Sequence, residues 1–331
     1  MSLPAYLDPL YAAEEMRAAD RFAIEERGVL SLALMERAGA GLAGAVARVA
    51  PSGTVRVVIG GGHNGADGLV AARVLRAQGR EVDVLALVAL DQLRGDPQIA
   101  LERLQGPPPV PFTSSGLMGS TVVVDAMLGT GFEGVPLEPV AGAIAALNAC
   151  SAPTVAADVP SGLDASTGEV AGPVVQAMLT ATNHAPKIGL HVGTGAVLAG
   201  QVEVVDIGIP PGGPAVATAG LITIRARTAA SEGTSPPVRA PTVVVCAAEL
   251  GHRLGMEEEE VERRPLRSVR SAAEHAAGVV VLLVARPLVA APRGPVAVCT
   301  QPAPPGLRAR IDALLDYGSA PFAAAVAALA G

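Results

Sequence analysis

The sequence predicts an α/β protein whose main domain is a doubly wound, mostly parallel sheet of the Rossmann-like type. Three observations support this fold class. Short runs rich in β-branched residues alternate with helical apolar patterns between residues 54 and 210. A glycine cluster, GGGHNGADG, follows the first of these runs. Polar residues stand directly after several later runs, where the carboxyl ends of parallel strands would meet a ligand.

The predicted elements follow one another in this order. Residues 10–48 are expected to be helical, because the apolar positions of LALMERAGAGLAGAVARV have helical spacing, and Gly28 divides the region into two helices. TVRVVIG is a strand that ends at the glycine cluster, and GLVAARVLRAQG, residues 68–79, is an amphipathic helix. A strand at 81–88 completes a βαβ unit. Further strands are expected within 120–129, 153–162, 178–187 and 201–210, with a helix at 140–150.

The C-terminal part is predicted to be a separate unit. Residues 226–241 are polar, rich in proline and without periodicity, which is typical of a linker. The linker divides the chain into a first domain, 1–225, and a second, 242–331. The second contains strand patterns at TVVVC, VVVLLV and AVCT. Its acidic run, Glu257 to Glu260, is expected to be the solvated start of a helix, where negative charge suits the helix dipole.

Composition and charge argue against several classes of function. The net charge is -7 and the basic residues are scattered, so we expect no nucleic-acid partner. The first residues lack a signal-peptide pattern, and the most apolar run is interrupted by Arg286 and Pro287, so we expect no membrane partner. The three cysteines are far apart, which is typical of reduced thiols in a cytoplasmic protein. The scarcity of aromatic residues predicts a core of Ala, Val and Leu.

Four loops are expected to bring polar side chains to one edge of the sheet. Several carboxylates at one edge repel each other unless a cation or a proton lies among them. Asn64, Asp125 and Ser161 offer oxygen ligands, which suit a hard cation rather than zinc or copper. The residues expected at this edge are Asn64, Asp67, Asp125, Asp158, Ser161 and Lys187.

Each of these residues also has an ordinary structural explanation. Asp67 is a suitable cap for a helix that starts near Gly68. Asp125 and Asp158 are common turn formers, and lysines such as Lys187 usually lie at the surface. Their shared position favours a functional interpretation of the group over the separate structural ones.

The glycine cluster matches the dinucleotide-binding fingerprint only in part. Gly60, Gly62 and Gly65 have the required spacing, but the acidic partner expected about 20 residues later is missing from the end of the second strand. Asp83 lies inside that strand instead. A conventional NAD-dependent dehydrogenase is therefore disfavoured. Three histidines remain open as ligand contacts: His63, His184 and His191.

Taken in order, the motifs resemble the signatures of one family. GGGHNGADGLVAARVL is similar to the G-x-G-N-N-G-G-D-G-L-x-A-A-R-x-L motif of NAD(P)H-hydrate epimerases, whose domain is called the YjeF N-terminal domain. VVDAMLGTGFEG, ADVPSGLDASTGEV and LTATNHAPKIGL resemble later motifs, and the similarity covers about residues 10–210. The resemblance implies a metabolite-repair isomerase. Its substrate would be NADH or NADPH hydrated at C6 of the nicotinamide ring, and its reaction the interconversion of the R and S forms.

The chemistry of this substrate gives a hypothesis in which Asp158 exchanges a proton as acid and base, and Lys187 contacts the departing oxygen or the phosphates. The resemblance itself implies that Asp158 contacts the ligand. Asn64, Asp125 and Ser161 would bind potassium, the expected cofactor. We also expect a homodimer. Besides Asp158, the residues that would line the hydrate site are His63, Asn64, Gly65, Ala66, Asp67, Gly129, Thr130, Gly131, Phe132, Glu133, Gly134 and Val135.

The sequence departs from the family pattern at three places. His63 replaces an asparagine, and Asn183-His184 stands where an aromatic residue is usual. Ala66 replaces a glycine, which would narrow the backbone conformations open to the loop. These departures keep two alternatives open. One is a non-catalytic nucleotide-binding or scaffold module on the same fold, and the other is an enzyme recruited to another small metabolite.

Residues 242–331 resemble fragments of an ADP- or ATP-dependent dehydratase of ribokinase-like fold. Cys246 stands where that family has a histidine, and Val284-Ala285 replace a Lys-Gly pair. The G-S-G-D motif and the front half of the domain are missing. We interpret this region as a small, degenerate α/β remnant without dehydratase activity, retained for packing or as a dimer surface.

Overall fold

The molecule contains two β-sheets with helices packed against them. Within the described residues, no helix combines the length and the apolar character needed to cross a membrane. All three cysteines are free thiols. The computed structural model describes residues 7–214, 219–222, 242–292, 294, 296–299, 303–316 and 321–330.

The larger sheet has seven strands in the order β4-β3-β2-β5-β6-β7-β8, and every neighbouring pair is parallel. This confirms the predicted parallel α/β sheet. The order reverses between β2 and β5, so their carboxyl ends form a crevice. The strands are β2 Val55–Ile59, β3 Val82–Ala86, β4 Val110–Pro111, β5 Val122–Ala126, β6 Thr154–Ala157, β7 Leu179–Asn183 and β8 Gln201–Val205.

The helices around this sheet bury alanine, valine and leucine, as the composition predicts. Gly28 has a φ of 67° and separates the first two helices, in agreement with the sequence pattern. The first is followed by a π-helical turn, Phe22–Glu26. The helices are α1 Ala13–Arg21, α2 Ser31–Val49, α3 His63–Ala77, α4 Asp96–Glu102, α5 Val140–Ala149 and α6 Gly195–Leu198.

Helix α3 begins five residues earlier than the sequence pattern predicts, at His63 instead of residue 68. Its glycines belong to the helix because they let it approach the sheet. A Cβ atom at Gly65 would lie 2.1 Å from the carbonyl oxygen of Gly60, and one at Gly68 would lie 2.7 Å from Cβ of Ala126. Asp67 is therefore inside the helix, and the alternative explanation of Asp67 as a helix cap does not apply.

The smaller sheet has six strands in the order β1-β9-β13-β12-β11-β10 and is mixed. Helix α8 begins in the acidic run, with Glu257 as its N-cap and most of the run exposed, which confirms that prediction. The strands are β1 Leu7–Leu10, β9 Ala219–Ile222, β10 Thr242–Cys246, β11 Val279–Leu283, β12 Leu288–Ala290 and β13 Val296–Cys299. The helices are α7 Ala247–Leu254, α8 Glu258–Arg263, α9 Pro265–Ala276, α10 Leu307–Asp316 and α11 Pro321–Ala330.

Two strands of the smaller sheet, β1 and β9, come from before the predicted domain boundary at residue 225. β9 lies between β1 and β13, so the chain's N-terminal segment is joined to its C-terminal part through backbone hydrogen bonds. The division into 1–225 and 242–331 stays a prediction. The predicted linker, 226–241, lies outside the described residues.

The close contact of α3 with the glycine loop gives a stability prediction. Gly65→Ala should lower the free energy of unfolding by about 1–3 kcal/mol, because its Cβ would displace the backbone of Gly60. Gly62→Ala is the matched control, since a Cβ at Gly62 meets no atom within 4 Å. Urea denaturation of both variants checks the prediction. Equal stabilities would contradict the packing argument.

Candidate functional site

The carboxyl ends of the parallel strands open into a cavity of about 780 Å³. It lies at the point where the strand order reverses, which is the usual ligand site of an open α/β sheet. Helices α1 and α2, the glycine loop, the loop after β5 and the ends of β6 and β7 form its wall. The predicted polar residues that line it are His63, Asn64, Asp67, Thr130, Asp158 and Lys187.

A buried ion pair between Asp158 and Lys187 lies at the centre of this wall. Lys187 Nζ donates to Asp158 Oδ1 at 2.7 Å, to Thr182 Oγ1 at 3.0 Å and to the carbonyl oxygen of Asn183 at 2.6 Å. These three bonds use all the ammonium protons. The lysine side chain is 0% exposed, so the alternative explanation of Lys187 as an ordinary surface lysine does not apply. The charge is held inside the protein by its acceptors.

Asp158 accepts hydrogen bonds on both carboxylate oxygens. Oδ1 binds Lys187 and the backbone N–H of Asn183, and Oδ2 binds the N–H of Thr130 at 3.0 Å and its hydroxyl at 2.5 Å. Its backbone has a φ of 61°, a conformation that non-glycine residues rarely adopt. Backbone conformations of this kind cost about 1–3 kcal/mol and are concentrated at functional sites.

The carboxyl groups around the cavity differ in their affinity for protons. Burial raises the pKa of Asp158, but the nearby Lys187 ammonium outweighs it, so the net shift is downward. Burial, followed by the charge of Asp158, holds the pKa of Asp67 well above its usual range. Burial also raises the pKa of Asp20 to about 6. One carboxylate is thus kept ionised, while two others retain their protons to higher pH than an ordinary aspartate.

The three residues predicted to bind a cation meet around the loop after β5. Ser161 Oγ donates to Asp125 Oδ1 at 2.6 Å, and the backbone N–H of Ser161 donates to Oδ2 at 2.8 Å. Asn64 Nδ2 donates to the carbonyl oxygen of Leu128 at 2.7 Å, while Leu128 N donates to Ser161 Oγ at 2.9 Å. Asn64 Oδ1 is buried and has no hydrogen-bond partner among the described residues. Burial raises the pKa of Asp125 to about 6.

The structure places the other predicted ligand-binding residues in two groups. Gly129, Thr130, Gly131 and Phe132 line the cavity. Beyond Phe132 the loop turns away, because Glu133 forms an exposed ion pair with Arg17 and Val135 packs toward Gly172. The residues predicted for the hydrate site that do not line the cavity are Gly65, Ala66, Glu133, Gly134 and Val135, and the predicted cation ligands Asp125 and Ser161 do not line it either.

Ala66 does not restrict the glycine loop, contrary to the expectation from sequence. It lies in α3 with helical backbone geometry, fully buried in the hydrophobic core below the cavity. Alanine is the residue that best favours this conformation. The replacement of the family's glycine is therefore compatible with the local structure.

Of the three histidines considered, only His63 lines the cavity, and it is exposed at the start of α3. His184 packs edge-on against the ring of Tyr11 at 5.5 Å between centroids, and burial lowers its pKa. His191 faces Arg286 at 3.3 Å, and burial lowers its pKa to about 4. These two histidines contribute to packing between parts of the chain.

Asp20 and the N-terminal helices contribute to the site although the sequence pattern did not predict them there. Asp20 lies four residues after the buried Met16, and both line the cavity from α1. A carboxylate on the apolar face of an amphipathic helix was the available signal, because residues four apart lie on the same face. Nothing in the sequence placed this helix over the ends of the distant strands.

Comparisons with known proteins support the family resemblance. A sequence model of the family described as "YjeF-related protein N-terminus" matches residues 31–189. The NAD(P)H-hydrate epimerase of Rhodopirellula baltica is 34% identical over 216 residues, covering 63% of this chain and 88% of that protein. The NAD(P)H-hydrate epimerase of Pirellula staleyi is 36% identical over 214 residues, covering 62% of this chain and 94% of that protein.

Longer relatives also match. The bifunctional NAD(P)H-hydrate repair enzyme Nnr of Salinibacter ruber is 40% identical over 232 residues, covering 62% of this chain and 42% of that protein. The chain thus spans less than half the length of the bifunctional relatives that it matches. The parallel sheet, the motif order and the identity to full-length epimerases agree with one another, and the chain belongs to the NAD(P)H-hydrate epimerase family, which carries the YjeF-related N-terminal domain.

Proposed function

We propose that this chain is an NAD(P)H-hydrate epimerase, which interconverts the R and S forms of NADH or NADPH hydrated at C6. The observation that carries the proposal is the ionised Asp158 carboxylate, fixed by buried Lys187 in the wall of a large cavity. The cavity volume, about 780 Å³, lies within the range of small-molecule and cofactor sites. Family membership gives the substrate class.

The glycine loop and the start of α3 would bind the phosphates of the nucleotide. Gly60, Gly61 and Gly62 line the cavity and lead directly into the N-terminus of α3. Free backbone N–H groups and the helix dipole favour an anion at such a position. Glycine lets a ligand approach the backbone closely. The nicotinamide end of the substrate would then reach toward Asp158 on the other side of the crevice.

Asp158 would stabilise positive charge during the reaction. The C6 carbon bears a hydroxyl and is bonded to the ring nitrogen, so departure of the oxygen leaves a planar iminium cation. A fixed carboxylate in a buried site stabilises such a charge without reorganising. With its lowered pKa and its saturated oxygens, Asp158 is better suited to this task than to exchanging protons. This changes the role expected from sequence.

Lys187 would act through Asp158 rather than on the substrate. All three of its protons are already donated within the protein, so a bond to the departing oxygen or to a phosphate would require one of them to break. Its charge keeps Asp158 ionised and its bonds fix the ends of β6 and β7. We therefore assign it a positioning role.

Potassium would bind at Asn64, Asp125 and Ser161. Asn64 Oδ1 is a buried acceptor that no described residue satisfies. Asn64 and Ser161 both bind the backbone of Leu128, and Ser161 binds the buried Asp125 carboxylate, so oxygen donors of all three residues are gathered around this loop. Such oxygen donors suit a hard cation. A bound cation would balance the Asp125 charge and hold the loop after β5, which carries the Thr130 donors to Asp158. Its contribution would be structural support of the site.

The alternative of a non-catalytic scaffold module was based on His63 and Ala66. Ala66 lies in the core and His63 is exposed at the rim, so neither substitution removes a group from the centre of the site. The retained Asp158 and Lys187 favour an enzyme. Loss of dehydratase activity, a homodimer and a cytoplasmic location remain parts of the proposal that rest on sequence alone.

The function can be tested by following R/S interconversion of hydrated NADH with NMR or chromatography. Wild-type protein should equilibrate the two epimers. Asp158→Asn should lower kcat by about 100-fold or more, because the fixed charge opposite the iminium is lost. Asparagine also tolerates the positive φ at this position. The control is Asp91→Asn, an exposed carboxylate outside the cavity, which should leave kcat unchanged. Near-normal turnover by Asp158→Asn would reject its role.

The ion pair makes a separate stability prediction. Lys187→Met and Asp158→Asn should each destabilise the protein by about 3–5 kcal/mol, because each leaves a buried group without its partner. The double variant should lose less stability than the sum of the two single losses, and the coupling energy between the two positions should be about 0.5–3 kcal/mol. The exposed pair Arg253–Glu249 is the control cycle and should couple by under ~0.5 kcal/mol. Additive losses at Asp158 and Lys187 would contradict the assignment.

The potassium site can be tested by thermal unfolding in potassium chloride and in choline chloride at equal ionic strength. Potassium at about 100-fold above its Kd should stabilise the wild type by about 2.7 kcal/mol and raise Tm accordingly. Asn64→Ala should remove this response. Gln98→Ala is the control, because Gln98 is an exposed amide that binds Glu102 within α4, and it should keep the response. A wild-type Tm that is the same in potassium chloride and in choline chloride would reject the site.

A further inference from the structure

Asp20 presents a carboxyl group to the cavity that the protein leaves without a hydrogen-bonding partner. It is partly buried near the end of α1, on the face that also carries buried Met16. Its carboxyl accepts no hydrogen bond and forms no ion pair within the described part of the chain. Both oxygens are therefore free to meet a ligand.

The other two aspartates that line the cavity each accept at least one hydrogen bond from the protein. Asp158 accepts hydrogen bonds from Lys187, Thr130 and the Asn183 backbone. Asp67 is fixed within the first turns of α3 and accepts a bond from Asn183 Nδ2 at 3.2 Å. Among the described aspartates that line the cavity, Asp20 is the one with no hydrogen bond on either carboxyl oxygen.

We propose that Asp20 is a catalytic residue that exchanges a proton with the oxygen on C6 of the substrate, an inference that rests on the proposed epimerase function. The Asp20 carboxylic acid donates its proton to the C6 hydroxyl. The C–O bond breaks, its electron pair stays with oxygen, and water departs. The lone pair of the ring nitrogen forms the C=N bond of the iminium, whose charge faces Asp158.

The return step restores the C–O bond of the substrate and the proton of Asp20. The ring turns over about its bond to the ribose, and a water molecule adds to the opposite face of the iminium carbon. This water gives one proton to the Asp20 carboxylate, and the C=N electron pair returns to nitrogen. No redox partner is needed, and the enzyme ends in its starting protonation state. In this scheme Asp158 stabilises the positive charge and Asp20 transfers the proton.

The charges around Asp20 suit this exchange. Burial raises its pKa to about 6, with the Asp158 carboxylate adding to the effect and the charges of Lys187 and His63 opposing it. Asp67 on α3 and Arg17 on the same helix are the other ionisable groups that face this part of the cavity. A general acid–base group works best when its pKa is near the working pH.

The test measures kcat/KM for epimer interconversion between pH 5 and pH 8. The acid form of Asp20 begins the reaction, so wild-type kcat/KM should fall as pH rises above about 6. Asp20→Asn should lower kcat/KM by about 100-fold or more at pH 5.5 and abolish this fall. Asp20→Glu should be slower than wild type but keep the fall. Glu26→Gln, an exposed carboxylate in the π-helical turn after α1, should behave as wild type.

The outcomes separate this inference from the proposed function. An active wild type together with an equally active Asp20→Asn would overturn the inference alone. A wild type that does not interconvert the epimers would overturn both. The wild-type profile needs no variant, so it decides the matter even if Asp20→Asn does not fold: a kcat/KM that stays constant from pH 5 to pH 8 would refute the inference. A fall that persists unchanged in Asp20→Asn would refute it as well.

Discussion

The buried pair of Lys187 and Asp158 is the interaction on which the rest of the site depends. An ammonium removed from water needs acceptors in every direction, and it takes them from Asp158, Thr182 and the Asn183 backbone. These bonds tie the end of β6 to the end of β7. Asp158 in turn binds Thr130 from the loop after β5. One buried charge therefore orders three neighbouring strand ends.

The same pair gives the aspartates of the cavity different protonation behaviour and therefore different roles. A carboxylate bonded directly to Lys187 stays ionised, whereas a carboxyl that lies farther from the ammonium, and for which desolvation is the larger effect, keeps its proton more readily. Asp158 is in the first situation, and Asp20 and Asp67 are in the second. Environments that move the pKa values of neighbouring acids apart are how one site provides both an acid and a fixed negative charge. Three aspartates can thus act differently although their side chains are identical.

Strand order made part of the site predictable from sequence, whereas packing between distant segments did not. Asp125, Asp158 and Lys187 were predicted together because the carboxyl ends of parallel strands meet at one edge. Asp20 was not, because a helix far from these strands in sequence covers the cavity through contacts that no local pattern encodes. The start of α3 was placed too late because glycines usually interrupt helices. Here Gly65 and Gly68 allow the helix to touch the sheet.

The smaller sheet takes part in the site through its first strand. β1 runs into Tyr11, whose backbone N–H binds the carbonyl of Pro186 at 2.9 Å and whose carbonyl accepts from Ile188 at 3.0 Å. These two bonds hold the residues on either side of Lys187. Directly after Tyr11 the chain enters α1, which carries Asp20. The segment that pairs with β9 therefore fixes the backbone on both sides of the lysine and sets the entry of the helix that presents the acid. This contribution to the site requires no chemistry from the C-terminal part, only its backbone.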